Sequence, residues 1–145
     1  MSYYSGFYGK IIVREEFYDI IENGLNLTES ADPVFVLYEA LDDEDRFDHG
    51  FSHIIWTMWS FARETGCWEF RMEYNERHQG CPHFCLIDLF IPYVAKEIID
   101  LYFFEEGDSP PYRPHREILT ILRQQIEHRE ETIKMICDEL NTYRR

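Results

Sequence analysis

His78-x-x-Cys81-Pro82-His83-x-Cys85 sets two imidazoles and two thiols within eight residues. A tetrahedral zinc site takes four such donors. The spacing here is irregular, and Pro82 restricts how the donors on either side of it converge. If Pro82 opens a helix, Cys81 and Cys85 fall at i and i+4 and both reach one ion. The plainer reading makes Cys85 a small buried hydrophobe and leaves the histidines in a loop. The plainer reading is adopted, so no metal or cofactor is assigned. The quartet His78, Cys81, His83 and Cys85 stands as the alternative, a small zinc-binding protein. His49 and His53 also have i, i+4 spacing, with Asp45 and Asp48 nearby. Gly50 between them weakens the helix that such a site needs.

Covalent catalysis finds no footing. There is no Gly-x-Ser-x-Gly elbow, no His-Glu-x-x-His and no phosphate loop. Among 28 acidic residues, a pair at useful spacing arises by chance, so no general acid or base is assigned. A protein without catalysis of its own is expected.

The acids carry more information through their distribution. Residues 1–112 hold 22 of the 28 acids and seven of the 14 Lys and Arg, whereas 113–145 holds six acids and seven bases. Two clusters stand out. Glu39, Asp42, Asp43, Glu44, Asp45 and Asp48 form one, interleaved with Tyr38 and Phe47. Glu97, Asp100, Glu105, Glu106 and Asp108 form the other, interleaved with Tyr102 and Phe104. Each cluster also reads as a solvated loop. Together, carboxylates mixed with aromatics suit an interface that is steered onto a basic groove and then anchored by apolar contact. A strongly negative body repels nucleic acid and anionic membranes, so the expected partner is a basic protein and not nucleic acid itself.

These groups must be held by a fold. Gly9–Arg14 reads as a short strand, and Glu15–Glu22 as a helix with Phe17, Ile20 and Ile21 at i, i+3 and i+4. Asp32-Pro33 opens a helix over Val34–Leu41, with a strand as the alternative. Phe51–Ala62 is apolar and aromatic. Ser52 as N-cap and the stripe Ile55, Trp56, Trp59 and Ser60 tilt it toward helix. Trp68–Tyr74 alternates Trp, Phe, Met and Tyr with Glu, Arg and Glu, the pattern of a strand with one dry and one wet face. An apolar helical stretch starts at Pro82, and Pro92 kinks or restarts it at Ile91. Asp100–Glu105 reads as a last strand or the end of that helix.

After the Pro- and Gly-rich boundary at 107–114 comes an amphipathic helix. Its seam is Ile118, Leu122, Ile126, Arg129, Ile133, Ile136, Leu140 and Tyr143, broken at Arg129. As one helix it would be about 45 Å long, so the seam serves either packing on the body or self-association as a homodimer. The fold class is α+β: a small antiparallel sheet flanked by helices, with an acidic body over 1–110 and a C-terminal helix over 113–145. A chain of 145 residues fits one domain with a sizeable core. A 17% aromatic content argues against disorder. The longest apolar runs are too short to span a bilayer. Met1–Gly6 has neither a basic start nor an apolar run, so a cytoplasmic protein with free thiols is expected.

Gly9–Phe17, Cys67–Phe70 and Pro92–Glu97 leading to Tyr102–Glu106 resemble segments of small bacterial and phage α+β proteins. The resemblance implies a helix-flanked sheet and carries no activity. The Arg-rich closing helix departs from that pattern. In size, acidity and aromatic content the chain is similar to toxin-immunity and phage anti-defence (anti-CRISPR-like) inhibitors. That similarity implies a protein that blocks a nuclease or another nucleic-acid-handling partner. The competing expectation is a structural or adaptor subunit that homo-oligomerises through its last helix.

Overall fold

The computed structural model describes residues 4–24, 32, 54–75, 90–105, 113–114 and 116–143; the elements are numbered over these. Strand β1 (Tyr4–Val13) leads through a 3-10 turn (Glu15–Phe17) into α1 (Tyr18–Glu22). Strands β2 (Ile54–Ala62) and β3 (Cys67–Asn75) follow, then the short α2 (Ile91–Val94), β4 (Ala95–Glu105) and the two-residue β5 (Arg113–Pro114). Helices α3 (Arg116–Glu127) and α4 (Arg129–Tyr143) close the chain. The sheet order is β2-β3-β1-β4-β5, with antiparallel pairing throughout. The fold is the α+β arrangement expected from the sequence.

Strand β1 is central and longer than its apolar run suggests. Gly6 and Gly9 lie inside it, opposite Phe104 and Phe70. A side chain on Gly9 would run into the Phe70 ring, 2.5 Å from the added carbon. The aromatic ring fills the space that glycine leaves empty, which offsets glycine's poor strand propensity.

The helix tilt for 51–62 is corrected: the described part of this segment is strand β2. Its register against β3 shifts between Trp56 and Met58. A bulge there inserts one residue, so Trp56 and Trp59 share a face although three positions apart. That spacing imitates a helical stripe. Both indoles meet Trp68, at 6.0 and 4.8 Å between centroids. The Trp59 Nε1–H donates to the Ile21 carbonyl over 3.1 Å. In β4 the same device puts Ile98 and Leu101 together in the core and leaves Ile99 37% exposed.

Pro92 sits in the first turn of α2, where its missing N–H costs nothing. A short helix over Ile91–Val94 is thus present, while the stretch from Pro82 that Pro92 was expected to kink or restart lies outside the described residues as far as residue 89. The chain then leaves the helix at once for β4, which begins five residues before the strand expected at Asp100.

The core lies between one sheet face and the helices. Phe7, Ile11, Trp68, Phe70 and Met72 face Ile21, Phe90, Leu119, Leu122 and Ile136 across it. The single long C-terminal helix is also corrected, because it breaks at His128. The Thr132 hydroxyl donates to the Gln125 carbonyl over 2.8 Å and lies 3.1 Å from the His128 carbonyl. Seven residues of straight helix rise about 10 Å, so the first contact requires a bend.

Candidate interaction face

The other face of the sheet carries the polar residues. Tyr8 and Lys10 on β1 stand between Glu69, Arg71 and Glu73 on β3 and Asp100 and Tyr102 on β4. Cross-strand pairing sets Tyr8 opposite Tyr102 and Lys10 opposite both Asp100 and Glu69. All of these side chains are half-buried. The Tyr8 and Tyr102 rings are 5.8 Å apart between centroids. The Tyr8 hydroxyl donates to Glu69 Oε2 over 2.6 Å, and Lys10 Nζ lies 4.0 Å from Glu69 Oε1. Arg71 lies over the Phe104 ring at 4.3 Å and pairs with Glu73 at 3.5 Å.

Burial, the bond to Glu69 and the surrounding negative charge push the Tyr8 phenol up to about 12. It is therefore neutral at physiological pH, a hydrogen-bond donor and ring surface that neither gives up nor takes a proton. Chemically the face offers carboxylates held near aromatic rings, together with Lys10 and Arg71, which pair with Glu69 and Glu73. Such a surface fits lysine and arginine side chains, which pair with the first and stack on the second.

Of the residues singled out in the sequence, the structure brings Asp100 and Tyr102 onto this face. Glu97 is exposed on β4, beside a hollow of about 330 Å³ lined by Lys96, Ile98, Arg123, Ile126 and Glu127. Arg123 Nη2 donates there to the Ile98 carbonyl over 3.1 Å. Glu105 ends β4. Tyr38, Glu39, Asp42, Asp43, Glu44, Asp45, Phe47, Asp48 and Glu106 lie outside the described residues. So do His49, His53, His78, Cys81, His83 and Cys85. Among the described residues no group of three or more His, Cys, Asp or Glu is placed to hold a metal. Cys67 and Cys137 are free and half-buried.

The seam Ile118, Leu122, Ile126, Ile133 and Ile136 turns toward the molecule's own body. Leu122 and Ile136 are fully buried, and the other three pack against the same core. Those five residues are spent on the fold; Leu140 lies in the last turns of α4. The break in the seam has a reason. Arg129 Nη1 donates to the Tyr93 carbonyl over 2.6 Å, with the Pro92 carbonyl at 3.5 Å. These are the orphan acceptors at the end of α2. Glu16 stands 3.9 Å from the same guanidinium. Tyr93 in turn donates to Asp32 Oδ2 over 2.8 Å, and burial together with that carboxylate raises its pKa.

Sequence reasoning missed Tyr8, which fell before the expected start of β1. It assigned Glu69, Arg71 and Glu73 to the wet side of β3 without a function. Their alternation with Trp68, Phe70 and Met72 was the signal available.

No family model matches this chain, and no curated protein or solved structure matches it either.

Proposed function

We propose that this protein is a non-enzymatic inhibitor that docks its acidic, aromatic face on a basic, nucleic-acid-handling protein and blocks the site used by nucleic acid. The observation that carries this reading is the Tyr8–Tyr102 ring pair on one sheet face, bordered by three carboxylates, Glu69, Glu73 and Asp100, against two cations, Lys10 and Arg71. The charge of residues 1–112 supplies the long-range attraction, since 22 acids there face seven Lys and Arg. Electrostatic steering of this kind raises association rates by orders of magnitude and fades with salt. The paired rings then supply the contact that slows dissociation. Carboxylates stand where phosphates would, so the protein competes with nucleic acid for the partner's basic groove.

The test is competitive capture from lysate of the source cell. Immobilised wild-type protein is expected to retain a basic nucleic-acid-binding protein, and excess duplex DNA or RNA is expected to release it. A Tyr102→Ser/Asp100→Asn variant is expected to retain at least ~10-fold less, as when an interface anchor is lost. Retention of nucleic acid alone, or of a partner indifferent to competitor and variant, would contradict the reading. The expected compartment is the cytoplasm. No described helix is long and apolar enough to cross a membrane.

A further inference from the structure

The two edges of the sheet differ. On one, the two-residue β5 covers Tyr102 and Phe103 of β4. Further along β4, Arg123 Nη2 donates to the Ile98 carbonyl over 3.1 Å. Backbone groups that another strand would use are taken there. On the other edge, β2 pairs with β3 alone among the described residues. A free edge presents a row of unpaired N–H and C=O groups, and proteins guard such rows with Lys, Pro or an inward charge. The nine residues Ile54–Ala62 contain no charged residue and no Pro. The bulge at Trp56–Met58 interrupts the row, and Met58–Ala62 beyond it runs in unbroken register. What pairs with backbone groups at this spacing is another extended strand.

The side chains of β2 say what kind of strand. On the core side, Trp56, Trp59 and Phe61 are only half-buried, so apolar residues of an added strand have rings to pack on. On the outer side, exposed Ser60 lies opposite Glu69, and Ile55, 53% exposed, lies opposite Glu73. Strands two apart are about 10 Å from each other, so a lysine or arginine beside Ser60 extends over that short side chain to Glu69. Charge around the strand favours such a residue. Glu64 in the turn, and Asp19 and Glu22 beside Arg63, add three carboxylates at the same end. With Glu69 and Glu73 they make five, against Arg63, Arg71 and, one strand further in, Lys10. A second copy of this chain brings the same acidic rim and is repelled by it.

We infer that the outer edge of β2 receives an extended segment of a basic protein as an added strand, one in which Lys or Arg alternates with apolar residues. This rests on the basic partner proposed above and assigns the element that the partner brings. The Tyr8–Tyr102 face and the β2 edge then form one continuous surface, because Met58, Arg71, Tyr8 and Tyr102 lie in one row across the sheet.

Isothermal titration of the full chain with a blocked peptide of about nine residues, alternating Lys and Val, tests this. Binding is expected, together with slowed hydrogen exchange at amides of Met58–Ala62. The fully backbone-N-methylated peptide keeps every charge and side chain but loses its N–H donors, and is expected to bind at least ~10-fold more weakly. Ser60→Lys and Ile55→Lys are each expected to weaken the unmethylated peptide at least ~10-fold, by placing like charge on the edge. Thr120→Lys makes the same change of charge at an exposed position of α3 and is expected to leave binding unchanged. Circular dichroism verifies that each variant stays folded, and either edge variant suffices if the other does not. No binding, equal binding of the two peptides, or wild-type affinity in the edge variants overturns the inference. So does a captured partner held equally by wild type and Ser60→Lys, a result that leaves the inhibitor reading in place. Conversely, peptide binding at β2 with no basic partner captured supports the strand site and counts against the inhibitor reading alone.

Discussion

Tyr8 and Gly66 carry the sharpest single-residue consequences. The Tyr8 phenol is neutral in the fold and held by Glu69, with its pKa raised from 10.0 to about 12. Its stabilising share is thus fully present below pH 10 and is lost as pH rises through 12. Tyrosine ring-carbon NMR should show one phenol titrating near 12 that moves toward 10 in Glu69→Gln. An unshifted resonance in that variant would remove Glu69 as a cause. Gly66 turns the chain between β2 and β3 with φ of +75°, and an added Cβ would lie 2.5 Å from the Tyr18 hydroxyl. Gly66→Ala should lower stability by about 1–3 kcal/mol in urea unfolding, through left-handed strain and this clash. Adding Tyr18→Phe should recover part of the loss. Full stability of Gly66→Ala would show that the turn has another conformation open to it.

At the scale of elements, Arg129 joins α4 to α2. Arg129→Met keeps the bulk of the side chain and leaves the Tyr93 carbonyl without its 2.6 Å donor. About 1–3 kcal/mol of stability should be lost in urea unfolding. Arg129→Lys should restore part of it; equal loss in both would point to packing instead of the hydrogen bond. The same element shows where sequence reading succeeds. A break in a hydrophobic seam was visible at Arg129, but its purpose depends on a helix end brought from 36 residues away. Strand β3 was legible because its alternation has no competing period. Strand β2 was not, because a bulge gave Trp56 and Trp59 a helix-like spacing. Strand β1 was half legible: Gly9–Arg14 read as strand, but the stretch before it, with Gly6, did not, because the Phe104 ring that packs beside Gly6 comes from far along the chain. The bend at His128 leaves the apolar period of α3 and α4 nearly intact, so it too was hidden.

For the whole molecule, the division of charge was plain from composition, and the sheet gives part of it a place. Asp100 and Tyr102 were expected in a binding patch and stand together on the outer face. Tyr8 and Glu69, which complete the group, belong to strands far apart in sequence, and only the register of β1 against β3 and β4 unites them. The central claim is that this negative surface is a contact face aimed at positive charge. The most direct measurement is the association rate with the captured basic partner as a function of ionic strength. It compares wild type with Glu97→Gln/Asp100→Asn and with a variant carrying Asn at Asp42, Asp43, Asp45 and Asp48. Wild type should associate at ~10⁷ M⁻¹s⁻¹ or faster at low salt and slow steeply as salt rises. Both variants should start slower and show a flatter slope. Identical rates and slopes for all three would contradict the account.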